Sequence, residues 1–148
     1  MNENRRLEGH RRFSVDTATL FEAFANPDSL INWWGPKGFS CTFKSFDFRE
    51  GGEWIFTMHG PDGTNYKNHI VFDEIVKNEK IVFRHIGAPK FTAIMLYEAT
   101  EDGASLLTWI HEFESEEIRN SIATLAENGR EENFDRLAQA LNDSSALR

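Results

Sequence analysis

From Phe39 to Phe113 the chain is a succession of short apolar–polar alternations cut by turn signals, and no other feature restricts the fold as much. The interruptions are Arg49-Glu50-Gly51-Gly52, Gly60-Pro61-Asp62-Gly63, Lys77-Asn78-Glu79-Lys80, Gly87-Ala88-Pro89-Lys90 and Glu101-Asp102-Gly103. A period of two puts successive side chains on opposite faces of a strand, so six strands joined as a meander are expected. Two turns set the register. Pro61-Asp62-Gly63 and Glu101-Asp102-Gly103 suit a type I turn followed by glycine in the left-handed region, and such three-residue loops pair residues symmetrically about their middle. Trp54, Phe56 and Met58 then share a face with Tyr66, Asn68, Ile70 and Phe72. Likewise Ala93, Met95 and Tyr97 share a face with Leu107, Trp109 and His111. With Asn78-Glu79 as a two-residue loop, Phe72 lies opposite His85, and Phe83 and Ile81 lie alongside. Charged residues such as Glu53, Lys67, Asp73, Arg84 and Glu112 fall on the other face.

The flanks are helical, apart from a first strand over about Arg5–Val15 with Leu7, Phe13 and Val15 on one side. Arg5, Arg6, Arg11 and Arg12 are expected on the solvent face of that edge strand. Asp16 or Thr17 caps a helix bearing Leu20, Phe21 and Phe24; Asn26-Pro27 ends it and opens a second short one that carries Leu30, Ile31, Trp33 and Trp34. After Ser115, a plausible N-cap, two apolar stripes follow: Ile118, Ile122 and Leu125, then Phe134, Leu137, Ala138 and Leu141. At 100° per residue the stripes do not coincide, so a break is expected at Asn128-Gly129, with a second helix to about Asn142 and a frayed tail from Asp143. A sheet with one apolar face and helices at its ends makes an α+β fold, with the last helix as the cover.

Nothing divides the sequence, so residues 1–148 are taken as one domain with its core over about 6–142. The net charge of −8 argues against nucleic acid as a partner, because an acidic surface repels phosphate. The lone Cys41 offers no internal disulfide, and Met1–Arg6 lacks the apolar stretch of a secretory signal. No apolar run approaches the roughly 20 residues that span a bilayer, so no membrane insertion is expected and a cytoplasmic location is. Aromatics make up 13% of the chain, more than a core of this size needs, which directs attention to a lined interior.

These residues occur in an order that resembles a known family. Arg12-Phe13-Ser14-Val15, Phe21-Glu22-Ala23-Phe24, Asn26-Pro27 and Trp33-Trp34-Gly35-Pro36-Lys37-Gly38-Phe39 come first. Arg49-Glu50-Gly51-Gly52-Glu53-Trp54, Met58-His59-Gly60-Pro61-Asp62-Gly63, Lys80-Ile81-Val82-Phe83 and Phe134-Asp135-Arg136-Leu137 follow. Together they resemble the START-like (SRPBCC) superfamily, in the branch named for homologues of the heat-shock-protein ATPase activator. The resemblance implies a helix-grip fold: a seven-stranded curved antiparallel sheet wrapped on a long C-terminal helix, two short helices after strand 1, and a deep cavity between sheet and helix. Relatives in the superfamily bind lipids, hormones and polyketides, and some catalyse aromatisation or cyclisation. The chain departs from the family pattern at Gly129-Arg130, where an aromatic commonly follows the glycine.

Candidate site residues follow from the inward faces. Trp34, Trp54, Phe56, Met58, Ile70, Phe72, Phe83, Met95, Trp109, Ile122, Phe134 and Leu137 are expected to wall the cavity, although the simplest role of each is core packing. Tyr66, Asn68, Tyr97, His85 and His111 are the polar groups among them, able to orient a ligand or to satisfy core hydrogen bonds. His59 and His69 face outward. No HxxxH or HxH spacing occurs and inward carboxylates are scarce, so neither a metal nor a cofactor is expected. Cys41 has no histidine close in sequence, and no GxSxG or phosphate loop occurs. Gly51-Gly52 is a tight turn or bulge, and Glu127, Glu131, Glu132 and Asp135 form a solvated helix face.

Three functions compete. The first is binding of a small hydrophobic molecule, lipid-like or aromatic and polyketide-like. The second is an aromatase/cyclase-like enzyme in which His85, His111 and Tyr97 move protons. The third is a chaperone partner that stimulates an ATPase in a stress response, as the branch name implies. Binding without turnover is preferred, because catalysis needs acid–base groups at a fixed separation that sequence does not supply.

Overall fold

The computed structural model describes residues 2–87 and 89–146, with side chains over 4–87 and 89–142; Ala88 of the Gly87–Lys90 turn lies outside the described residues. A 3₁₀ turn at Asn2–Arg5 leads into β1 (Arg6–Phe13). Helices α1 (Thr17–Ala25) and α2 (Pro27–Trp33) follow. The meander consists of β2 (Ser40–Phe46), β3 (Glu53–His59), β4 (Asn65–Val76), β5 (Lys80–His85), β6 (Phe91–Ala99) and β7 (Ser105–Phe113). Helix α3 (Glu116–Ala146) closes the chain. The strands form one antiparallel sheet in the order β1-β7-β6-β5-β4-β3-β2, so each connection joins neighbouring strands except that from β1 to β2, which crosses through α1 and α2 to the opposite edge. This is the expected α+β helix-grip architecture.

Local chemistry starts each helix. The Asp16 Oδ1 accepts from the Thr19 N–H at 2.8 Å, and Asn26 Oδ1 accepts from the Asp28 N–H at 3.0 Å, with Pro27 at the first helical position. Ser115 Oγ accepts from the Ile118 N–H at 3.1 Å. Each cap satisfies a backbone donor that the first helical turn leaves free.

Both three-residue hairpin loops give the expected registers. Met58 lies opposite Tyr66 and Trp54 opposite Ile70, while Met95 lies opposite Trp109 and Ala93 opposite His111. The β4–β5 hairpin differs. Val76 pairs with Lys80 around a loop that contains Asn78 at φ 65°, and a bulge follows between Phe72 and Glu74. Phe72 therefore sits opposite Phe83, and His85 opposite Ile70. One extra loop residue plus one bulged residue is a shift of two, which preserves the face of every side chain beyond the bulge. A second bulge, between Phe43 and Ser45 of β2, turns both Phe43 and Phe46 towards the core. Gly52 makes a close approach: a Cβ there would lie 2.0 Å from the Asp47 carbonyl oxygen, so the bend before β3 needs glycine.

Helix α3 has no break at Asn128-Gly129. Its buried stripe is continuous once polar residues are counted: Arg130, Asn133, Phe134, Leu137 and Leu141 are buried, and Gly129, Ala126 and Ile122 continue it as half-buried positions. The apolar pattern broke because the middle of the stripe is filled by glycine, arginine and asparagine. Leu125, placed on the stripe by sequence, is 76% exposed. Two charged groups also behave differently from expectation. Arg11 faces α3, where it pairs with Glu131 at 3.0 Å and Asp135 at 2.7 Å and lies over the Phe134 ring. Glu132 accepts from the Lys37 N–H, so the acidic side of α3 is engaged by β1 and by the loop after α2.

Candidate functional site

The interior has two parts. Under α1 and α2 it is filled solid with rings: Phe24, Trp33, Trp34, Trp54, Phe72 and Phe83 meet edge to face or stacked, and the void among them measures only about 10 Å³. Under the middle of α3 a cavity of about 190 Å³ remains. Its walls are supplied by the sheet, the loop after α2 and the helix. Trp34 stacks on Trp109 at 5.4 Å to form one side. Phe56, Met58, Ile70 and Phe83 line it from the sheet, Gly35 and Pro36 from the loop after α2, and Ala126 and Gly129 from α3.

Of the residues placed inward by sequence, Trp34, Phe56, Met58, Asn68, Ile70, Phe83, His85, Trp109 and His111 line this cavity. Trp54, Phe72, Met95, Phe134 and Leu137 are buried in the surrounding core instead. Ile122 is half-buried on α3 outside the lining. Tyr66 shares the inner face but sits at the end of its hairpin, 48% exposed against Phe39. Tyr97 packs between Phe21 and Phe24 of α1, away from the cavity, where burial drives its phenol well above the ordinary range. The proposed trio of His85, His111 and Tyr97 is thus not assembled. Phe91, Arg130 and Asn133 are lining residues that sequence missed. The signal for the last two was available: Arg130 lies four residues after Ala126 and four before Phe134, and Asn133 lies three after Arg130 and four before Leu137, on the buried side of α3.

The polar groups fall into two sets. Asn133 is fully committed, with Nδ2 donating to the Trp33 carbonyl at 2.9 Å and Oδ1 accepting from the Gly35 N–H at 3.2 Å. His85 is committed too. Its Nδ1 faces the carbonyls of Gly87 and Pro89 at 3.0 and 3.1 Å, and its Nε2 faces Asn68 Oδ1 at 2.9 Å, with Asn68 Nδ2 held by the Tyr66 carbonyl. The second set is uncommitted. Trp109 Nε1–H donates to His111 Nε2 at 3.3 Å, which leaves the proton on Nδ1, and that buried Nδ1 has no partner. Arg130 is 8% exposed, and its Nη1 likewise has none. Burial, followed by the nearby Arg130 charge, lowers the His111 pKa to about 4, so the ring is neutral at ordinary pH. Phe91 separates the two imidazoles, stacked on His85 at 5.1 Å and edge-on to His111 at 5.2 Å.

Cys41 gives no nucleophile. Burial pushes its thiol up to about 11, against the pull of Arg136, and Sγ donates to the Trp34 carbonyl.

A curved sheet gripping one long helix over a partly apolar cavity defines the START-like class of domain. The family described as Activator of Hsp90 ATPase homolog 1-like protein matches residues 14–142, and the chain belongs to that family. Solved structures agree on the fold. A protein from Nitrosomonas europaea is similar with a TM-score of 0.87 at 20% identity, covering 99% of both chains. One from Arthrobacter aurescens has a TM-score of 0.86 at 26% identity, over 97% of this chain and 89% of that one. An AHSA1 protein from Silicibacter pomeroyi has a TM-score of 0.78 at 21% identity, over 94% and 99%. No curated protein matches the chain. Among the described residues no helix is long and apolar enough to cross a membrane.

Proposed function

We propose that this protein binds a small apolar molecule, about the size of one substituted aromatic ring, in the cavity beneath α3. The observation that carries the reading is the cavity itself: about 190 Å³, walled by Trp34, Trp109, Phe56, Ile70 and Phe83 while the rest of the core is solid. An apolar cavity of roughly 150 Å³ is enough to hold benzene, whereas drug-sized ligands occupy about 300 Å³ or more. The volume therefore favours a single-ring compound over a lipid or a polyketide. Acid–base catalysis gains little support, because His85 is bonded on both nitrogens and His111 offers an N–H to the cavity without a proton acceptor beside it. The reading is that of a carrier or sensor.

The test is a titration with single-ring aromatics followed by NMR. Saturable shifts should centre on the Trp109 indole, Ile70 and Ala126. The substitution Ala126→Trp fills the cavity from the helix side and should abolish those shifts while the circular dichroism spectrum stays native. Shifts confined to the outer sheet face, or unchanged binding in the filled variant, would refute the reading.

A further inference from the structure

The cavity is apolar on most of its surface yet contains an arginine whose carboxylate partner, Glu131, lies at 3.4 Å and is shared with Arg11. Arg130 enters from α3, and its guanidinium packs against Gly9 of β1. A Cβ at residue 9 would meet Nε at 2.3 Å, Cζ at 2.4 Å and Nη2 at 2.6 Å, so the guanidinium holds this position only while residue 9 is glycine. Glycine weakens a strand interior, and its presence at position 9 of an edge strand is explained by this close approach. Its one hydrogen bond among the described residues is a long one, Nε to Glu131 Oε2 at 3.4 Å. Glu131 is half-exposed and also holds Arg11 at 3.0 Å. No aspartate or glutamate lines the cavity. Nη1 is buried without a partner, and so is Nδ1 of His111, whose tautomer makes it a second donor.

Two buried donors, one of them cationic, left unsatisfied at the same apolar cavity form a site for an acceptor that is itself charged. We infer that the bound molecule is an acid: a single-ring or similarly compact apolar body ending in a carboxylate, which accepts from Arg130 Nη1 and from His111 Nδ1–H. The inference rests on the reading of the cavity as a ligand site and adds the charge of the ligand to it. The stack of Trp34 and Trp109 receives the apolar body, and the carboxylate supplies the acceptor that Nη1 lacks, since the long contact to Glu131 engages Nε alone.

The experiment compares sodium benzoate with benzyl alcohol, its neutral near-isostere, by NMR titration at pH 7 on the full chain. Benzoate should bind tighter by roughly tenfold to a hundredfold, the range for a charge-assisted hydrogen bond. Arg130→Met should remove that preference, so that benzoate and benzyl alcohol bind the variant within about twofold of each other. Arg130→Gln, which retains a neutral donor, should lie between the two and serves as a second replacement should the first fail to fold. Equal affinity of the parent protein for both probes, or a preference retained in either variant at parental strength, would overturn the acid inference and leave the cavity reading standing. Failure of both probes to bind the parent would overturn the two together.

Discussion

His111 shows how a single side chain is governed by its surroundings. Its Nε2 is occupied by the Trp109 indole N–H, and its ring lies among Phe91, Phe113 and Trp109 next to the Arg130 charge. A folded-state pKa of about 4 against an ordinary 6.5 means that the unfolded chain binds the proton more readily. The sign follows directly: stability from the neutral ring is complete above about pH 6.5 and is lost as pH falls towards 4, with a ceiling of about 3 kcal/mol. The melting temperature of the parent protein should therefore drop between pH 7 and pH 4.5, and that of His111→Gln should drop less. Parallel profiles would show that His111 is not responsible. Asp102, held at about 2 by Thr100 and Arg12, titrates below this window and does not confuse the measurement.

Among the elements, the attachment of α3 to the loop after α2 stands out, because it is made by polar groups inside the core. Asn133 bonds the Trp33 carbonyl and the Gly35 N–H, while Arg136 Nη1 reaches the carbonyls of Trp34, Gly35 and Pro36 and Nη2 that of Asn32. Asn133→Leu should cost about 2–4 kcal/mol in chemical denaturation, since it leaves a buried donor and a buried acceptor unpaired. A cost below about 1 kcal/mol would mean that the loop relaxes to water. These contacts also explain what sequence revealed and what it concealed. Alternation and turn chemistry placed every strand of the meander, because loop length and the period of two leave few registers open. The β4–β5 offset escaped notice since bulges have no reliable residue signature, yet the inner faces survived it. Helix α3 differs from expectation at its centre because hydrophobicity alone marks a buried stripe, whereas Arg130 and Asn133 are buried polar residues and Gly129 is a half-buried one without a side chain. The aromatic walls of the site were legible for the same reason as the strands. Its charged member was not.

For the molecule as a whole, order is unevenly distributed. The C-terminal half of α3 buries Phe134, Leu137 and Leu141, whereas residues 116–129 contain no fully buried side chain and bring Ala126 and Gly129 to the cavity. Amide hydrogen exchange should be faster across 118–129 than across 134–141, and a bound ring should slow the first segment selectively. Uniform protection along α3 would contradict this division. The sheet order has a consequence for how the chain is made. Arg6 finds Glu112 across a separation of 106 positions, so β1 cannot take its place until β7 has been synthesised. A nascent chain leaving the ribosome can zip β2 to β6 by successive neighbours, while its first strand waits with Leu7 and Phe13 uncovered. The sheet is closed by its most distant pairing, and a translation product stopped short of β7 would be left with an open seam.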